Sequence, residues 1–207
     1  MIDLARKDDV RLPARENSNS IPLMFPSAPP PARGGATARL RFEPLAKEHI
    51  TPLVEPLLDP AVYGWIDPHR DEASFRAFCE AVIAGPGTRF PDQTWWNHAI
   101  FDRATGTGIG RLESTFIGQQ VEIAYLLGSS WWHRGLGSEA LIWLLEEIQQ
   151  CCPTAEVWAT VHPDNTASQR LLERNGLVRT TEFPTTLRSY DPGDLVFAYP
   201  LAPSPNV

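Results

Sequence analysis

Gly135 and Gly137 stand two apart in the stretch WHRGLG, residues 132–137. An apolar run, VEIAYLLG (121–128), precedes them, and a helical pattern begins at Leu136. Glycines at such a bend let backbone N–H groups approach a ligand closely, because no Cβ stands in the way. The helix behind them contributes unpaired N–H donors and the positive end of its dipole. Together these suit a phosphate or pyrophosphate, with His133, Arg134 and Ser138 beside it. The alternative is an ordinary strand–turn–helix whose glycines serve only the bend. Two standard phosphate loops can be tested. The P-loop, Gly-x-x-x-x-Gly-Lys-Ser/Thr, needs a Gly-Lys pair, and the chain has none. GLGSEA fits the loose dinucleotide fingerprint, but that motif also wants an acid about 20 residues on, at the end of the next strand. Glu156 is near that distance and stands at the strand's start, the wrong end for a ribose contact.

A second stretch, EVWATVHPDNTASQRLLERNGLVR (156–179), adds a short β-rich run, a helix start at HPDNTAS and an Asn175-Gly176 stop. Strand, glycine loop, helix, strand and then Asn-x-x-Ser at a helix start resemble the GNAT superfamily of acyl-CoA-dependent N-acetyltransferases. WHRGLGSEAL and NTASQRLLERNGL are similar to its ribosomal-protein alanine N-acetyltransferase-like branch, and the resemblance covers about residues 37–201. The family's loop is Gln/Arg-x-x-Gly-x-Gly/Ala; Trp132 replaces its first residue.

The resemblance implies acetyl-CoA as co-substrate and a primary amine as acceptor, either a protein N-terminus or a small molecule, attacking directly in a ternary complex. It places Leu126, Leu127, His133, Arg134, Gly135, Leu136, Gly137, Ser138, Asn165 and Ser168 on the cofactor, with the Leu127 N–H as donor to the thioester oxygen. Asp164 or Asn165 can also serve simply as the helix cap. A free amine is mostly protonated at pH 7, so the site needs a proton acceptor. VEIAY matches the family's fourth strand, which makes Glu122 the candidate base. Flanked by Val121 and Ile123, its carboxylate faces the opposite way from theirs. The other reading of Glu122 is a structural acid bonded to a neighbouring backbone, with Glu113 in reserve. Many members carry a Tyr that protonates the leaving thiolate; here that position is Leu172. Ser168 is a poor acid, which leaves the proton to solvent. Trp132 and Leu172 together suggest the rival function, an acyl-CoA-binding module without turnover.

The rest of the chain must position these groups. Its 207 residues allow one α/β domain with extensions, and 43% hydrophobic content fits a real core. The net charge of −7 argues against nucleic-acid binding. The three cysteines, Cys79, Cys151 and Cys152, have no metal spacing and suggest a reduced, cytoplasmic setting. The five histidines are scattered and form no metal set. No apolar run approaches the ~18 residues of a membrane span, and residues 1–15 lack the apolar core of a signal peptide.

Residues 1–36 read as a Pro-rich arm, with Ile21, Leu23, Met24 and Phe25 as a small apolar patch. The arm is either a disordered leader or packs on the body or on a second subunit, which leaves a homodimer open. Residues 37–201 form the acetyltransferase domain and 202–207 a polar tail.

The resemblance gives the fold class: α/β, a GNAT-like mixed, twisted sheet of about six to seven strands with helices on both faces. In chain order, TARLRFEPLAKEHI (37–50) reads as a strand and ITPLVEPLLDP as a short helical piece. Asp71–Gly85 reads as an amphipathic helix, residues 94–128 as a three-stranded meander, and LVRTTEFP and DLVFAYPL as closing strands. The loop TTLRSYDPG between the last two lies near a substrate on this reading, and Tyr63, Trp65 and Tyr190 are candidates for the acceptor pocket. The Trp pairs 95–96 and 131–132 read as packing.

Overall fold

The computed structural model describes residues 29–65 and 70–200. The patch Ile21–Phe25, His69 and the tail 202–207 lie outside them. The described residues form strands β1 (Gly35–Ala36), β2 (Leu40–Pro44), β3 (Gln93–Asp102), β4 (Gly108–Ile117), β5 (Gln120–Leu127), β6 (Glu156–Val161), β7 (Val178–Thr180) and β8 (Leu195–Tyr199). Their helices are α1 (Lys47–Leu57), α2 (Glu72–Ala84), α3 (Leu136–Cys151) and α4 (Thr166–Arg174). The eight strands make one sheet in the order β1-β2-β3-β4-β5-β6-β8-β7. Every pairing is antiparallel except β5 with β6. Seven strands match the sequence pattern; the eighth, β1, comes from the end of the Pro-rich arm.

Period-two alternation divides the sheet into two faces. Leu112, Phe116, Val121, Ile123, Tyr125 and Leu127 point to one core with Leu141, Leu144 and Ile148 of α3. Ala99 and Phe101 point to the other, with Ile50, Leu53 and Leu57 of α1 and Phe75, Phe78 and Cys79 of α2. The first helix begins earlier than its sequence suggests. Strand β2 ends at Pro44, and 47–50 is the first turn of α1 rather than strand, because the His49 ring nitrogen Nδ1 accepts the Ala46 N–H at 3.1 Å and caps it. Pro52 and Pro56 lie inside α1, in the segment that the sequence reads as helical, and the stripe Ile50–Leu53–Leu57 is buried. Helix α2 is capped as its sequence predicts: Asp71 accepts the Ser74 N–H at 2.8 Å, and Gly85 follows its last turn.

The described end of the arm is bound to the body. The Trp96 indole N–H donates to the Pro30 carbonyl at 2.8 Å, and His98 Nε2 lies 3.0 Å from the Arg33 carbonyl. Gly35 and Ala36 then pair with Phe42 and Arg41. The Phe42 ring stacks on Trp143 of α3 at 3.9 Å, which closes this end of the core.

Burial holds His98 neutral, with its pKa pushed down to about 4. The unfolded chain therefore takes up this proton first as pH falls. Stability is complete above the ordinary value near 6.5 and is lost progressively towards about 4. Between pH 7 and pH 5 His98 should cost about 2 kcal/mol of unfolding free energy. Urea denaturation at both pH values should show this loss in the wild type and a smaller one in His98→Gln.

Candidate active site

The parallel ladder between β5 and β6 runs only from Gln120–Glu156 to Glu122–Trp158. Beyond it the strands separate, while Ala124 to Leu127 remain paired with β4 on their other side. The Gly128 N–H bonds back to the Ile109 carbonyl at 2.9 Å. Alternation then turns the N–H and C=O of Leu127 towards the opening. The Leu127 carbonyl accepts the indole N–H of Trp132 at 2.8 Å. Trp132 thus fastens the strand end to the glycine loop, an arrangement that the family pattern did not suggest.

A cavity of about 460 Å³ follows the opening. Its lining includes Tyr125 and Leu127 of β5, His133, Gly135, Leu136, Gly137 and Ser138 of the loop, and Asn165 and Ser168 of α4. Leu126 and Arg134 are not among its lining residues. The Leu126 side chain turns to the α1–α2 core. Arg134 contributes its carbonyl, which accepts from the Arg39 guanidinium at 2.8 Å. The loop is shaped by two left-handed residues, His133 (φ 59°) and Gly135 (φ 76°). Glycine adopts this conformation freely, whereas histidine holds it at some cost, as residues at binding sites often do.

Arg39 and Glu139 lock that shape. Glu139, in the first turn of α3, receives the Arg39 Nε at 2.7 Å, the Arg39 backbone N–H at 2.9 Å and the Thr37 hydroxyl at 2.5 Å. Asn175, at the helix-stop pair, donates to the Ser138 hydroxyl at 3.1 Å and so ties the end of α4 to the loop.

Asn165 is the N-cap of α4: its Oδ1 accepts the Ser168 N–H at 3.1 Å. The cap uses the amide oxygen, and Asn165 lines the cavity. The Ser168 hydroxyl meets the Tyr125 hydroxyl at 2.7 Å. Leu172, at the family's tyrosine position, is fully buried. A tyrosine hydroxyl nevertheless reaches this region, from β5 instead of α4. Burial raises the Tyr125 pKa, so the phenol stays protonated and serves as a hydrogen-bonding group. Its position was legible, because Tyr125 shares the alternation of Ile123 and Leu127.

Across the sheet lies a second cavity of about 250 Å³. Phe78 and Val82 of α2, Phe90, and Trp95, Asn97, Glu113 and Thr115 of β3 and β4 line it, with Arg188 from the β7–β8 loop. A narrow cleft lies between the separated strands. Tyr125 and Ser168 line both the cleft and the first cavity, and Ser189, next to Arg188, lines the cleft.

The two candidate carboxylates differ sharply. Both sit on this second face and are almost fully buried. Glu122 does not line the cavity. Its carboxylate accepts the backbone N–H groups of Arg188 and Ser189, both at 2.9 Å, and the Ser189 hydroxyl. Ser189 also meets Thr160 of β6 at 2.9 Å, so this loop is wedged between the separated strands. Glu113 does line the cavity and forms an ion pair with Arg111. Burial raises its pKa, opposed chiefly by the Arg111 charge. Of the aromatic residues expected at the acceptor, Trp65 lies on the cofactor side, stacked 5.2 Å from His162. Tyr190 packs against Phe183, and Tyr63 is not among the residues lining the second cavity.

The sequence profile of the acetyltransferase (GNAT) domain matches residues 39–178. The chain belongs to the GNAT acetyltransferase family. Solved structures of other acetyltransferases share its fold. A GNAT-family acetyltransferase from Bacillus anthracis superposes with a TM-score of 0.64 at 18% identity, covering 81% of this chain and 96% of that one. A ribosomal-protein-alanine acetyltransferase from Vibrio fischeri gives 0.62 at 12% identity, with 81% and 94% covered. An acetyltransferase from Salmonella typhimurium that modifies the N-terminal serine of a 50S ribosomal subunit protein gives 0.62 at 18%, with 78% and 95% covered. No curated protein sequence matches this one significantly. Among the described residues of this acetyltransferase, no helix is long and apolar enough to cross a membrane.

Acetyl-CoA is the family's co-substrate, and the residues fit it. The left-handed loop at a helix start is a cradle for pyrophosphate. A Cβ at Gly137 would come within 3.3 Å of Leu171 and 3.6 Å of Leu127, so even a methyl group there asks Leu171 to shift slightly, and a longer, charged side chain would compete with the anion. Gly137→Glu should lower acetyl-CoA affinity at least tenfold, about 1.4 kcal/mol. Titration calorimetry on the folded variant checks this, and unchanged affinity would place the cofactor elsewhere.

Proposed function

We propose that this protein acetylates a primary amine by direct attack, with acetyl-CoA and acceptor bound on opposite sides of the sheet. The observation that carries this reading is the gap between β5 and β6, with a loop-and-helix anion cradle on one side and a separate, carboxylate-bearing cavity on the other. When bound, acetyl-CoA supplies an activated thioester carbonyl. The glycine loop holds the pyrophosphate through its N–H groups, and Asn165 donates from Nδ2 to the pantetheine arm. The Leu127 N–H donates to the oxygen on which charge develops. Its orientation is fixed from both sides, by Gly128 pairing back to β4 and by Trp132 on the Leu127 carbonyl. Ser168, held by the Tyr125 hydroxyl, presents its own O–H to the departing sulfur.

Glu113 is the proton acceptor in this reading. It reaches the acceptor cavity, and burial makes it a better base than a surface carboxylate. Glu122 acts through the loop that it holds, keeping Arg188 and Ser189 in place. The two roles predict different kinetics. Glu113→Gln should lower kcat/KM on the order of 10²-fold at neutral pH, and the deficit should shrink as pH approaches the pKa of the amine. Glu122→Gln should raise the acceptor KM and lower the melting temperature while keeping the shape of the pH–rate profile. Profiles of both variants with one good acceptor decide it; a pH-dependent loss in Glu122→Gln alone would return the base to Glu122. Release of free CoA thiol with any amine separates catalysis from simple acyl-CoA binding.

A further inference from the structure

The acceptor cavity has a composition that selects more than an amine. This deepens the ternary reading above and rests on it. The volume of about 250 Å³ corresponds to roughly eight waters at ~30 Å³ each, the space of one amino acid. Phe78, Val82, Phe90 and Trp95 make one wall aromatic and apolar. The floor is a polar strip in register across the strands, Asn97 beside Glu113 and Trp95 beside Thr115. The Thr115 hydroxyl is only 2% exposed and has no hydrogen-bond partner. A buried hydroxyl left in that state is unfavourable by about 1–3 kcal/mol, which a polar ligand group would relieve.

The charges around the cavity run against those of the whole chain. The net charge is −7, yet Arg89 and Arg188 both line this cavity. Beneath it, the guanidiniums of Arg70 and Arg111 lie 4.3 and 4.5 Å from the Phe78 ring centre. Among the described lining residues the one carboxylate is Glu113. A polyamine would find a single carboxylate in that lining for its several ammonium groups. An amine that carries its own carboxylate would be matched at both ends. Arg188 is placed for this, because Glu122 fixes its backbone N–H at 2.9 Å.

We propose that the acceptor is a free α-amino acid with an aromatic or branched apolar side chain. The side chain lies on the Phe78–Phe90–Trp95 wall, the carboxylate meets Arg188, and the α-amine faces Glu113 and the strand opening. The N–C bond of the N-acetyl amino acid forms as the thioester C–S bond breaks. The amine gives one proton to Glu113, and the departing sulfur takes one up. A protein N-terminus would bring a neutral peptide carbonyl to the Arg188 position and would have to leave through the rim.

The test is a panel of acceptors with the full chain and acetyl-CoA: L-phenylalanine, L-leucine, L-phenylalaninamide, a peptide with N-terminal serine, and spermidine. Rates are read as free thiol. Binding of L-phenylalanine to the CoA-saturated protein is read independently by the fluorescence of the cavity tryptophan, Trp95. The free amino acid should exceed its amide by at least about 30-fold in kcat/KM, the scale of a charged hydrogen bond. Arg188→Gln should bring that ratio towards one and weaken L-phenylalanine binding, with acetyl-CoA affinity by calorimetry unchanged. Arg188→Glu should invert the ratio. Preference for the amide, the peptide or spermidine would overturn this assignment and leave acetyl transfer standing. No transfer to any amine would overturn both.

Discussion

Three residue pairs of parallel ladder hold β5 to β6, and then the ladder stops. That interruption is the constraint on which the site depends. A backbone edge inside a sheet is unfavourable unless something meets its N–H and C=O groups. Here the demand is divided. The Leu127 carbonyl is met by the Trp132 indole. The gap is bridged from the far side by Ser189, which bonds both Glu122 on β5 and Thr160 on β6. What stays open between these two fasteners is the stretch from Ile123 to Leu127, and it faces the cofactor cavity.

The two fasteners come from opposite faces of the sheet, and each face carries one of the two cavities. On the α3–α4 side, the start of α3 supplies the anion cradle. Its geometry is held by a clamp in which Arg39 bridges the Glu139 carboxylate and the Arg134 carbonyl. This clamp also binds Thr37, so the strand entering the domain and the cofactor loop share one set of hydrogen bonds. On the α1–α2 side, the sheet presents arginines and carboxylates beneath helices that are otherwise apolar. The Arg111–Glu113 pair is almost fully buried there. Such a pair adds little net stability, because desolvation offsets most of the attraction.

Glu122 illustrates how burial alone fails to define a role. Its strand position directs it to the face that carries the second cavity. Its carboxylate, however, receives three donors from residues 188 and 189, and a carboxylate so occupied is a good anchor and a poor base. Glu113, two residues along the same face by cross-strand register, has the cavity in front of it.

The sequence by itself determined what depends on neighbours along the chain. The glycine loop at a helix start, the Asn165 cap, the α2 boundaries and the side to which Glu122 points all follow from periods of two and 3.6 and from local hydrogen bonds. The family match rests on the same short stretches. Tertiary structure decided what depends on distant partners. Glu122 and Ser189 are 67 residues apart, and Arg39 and Glu139 are 100 apart. The first turn of α1 reads as strand because its cap is the His49 ring rather than a Ser, Thr, Asp or Asn, and that ring is held by Glu43 and Phe101 from outside the helix. The second cavity draws on α2, β3, β4 and the β7–β8 loop, none of which carries a motif of its own. A motif survives in sequence where one backbone segment makes the whole contact. A cavity assembled from four segments exists only once the sheet has brought them together.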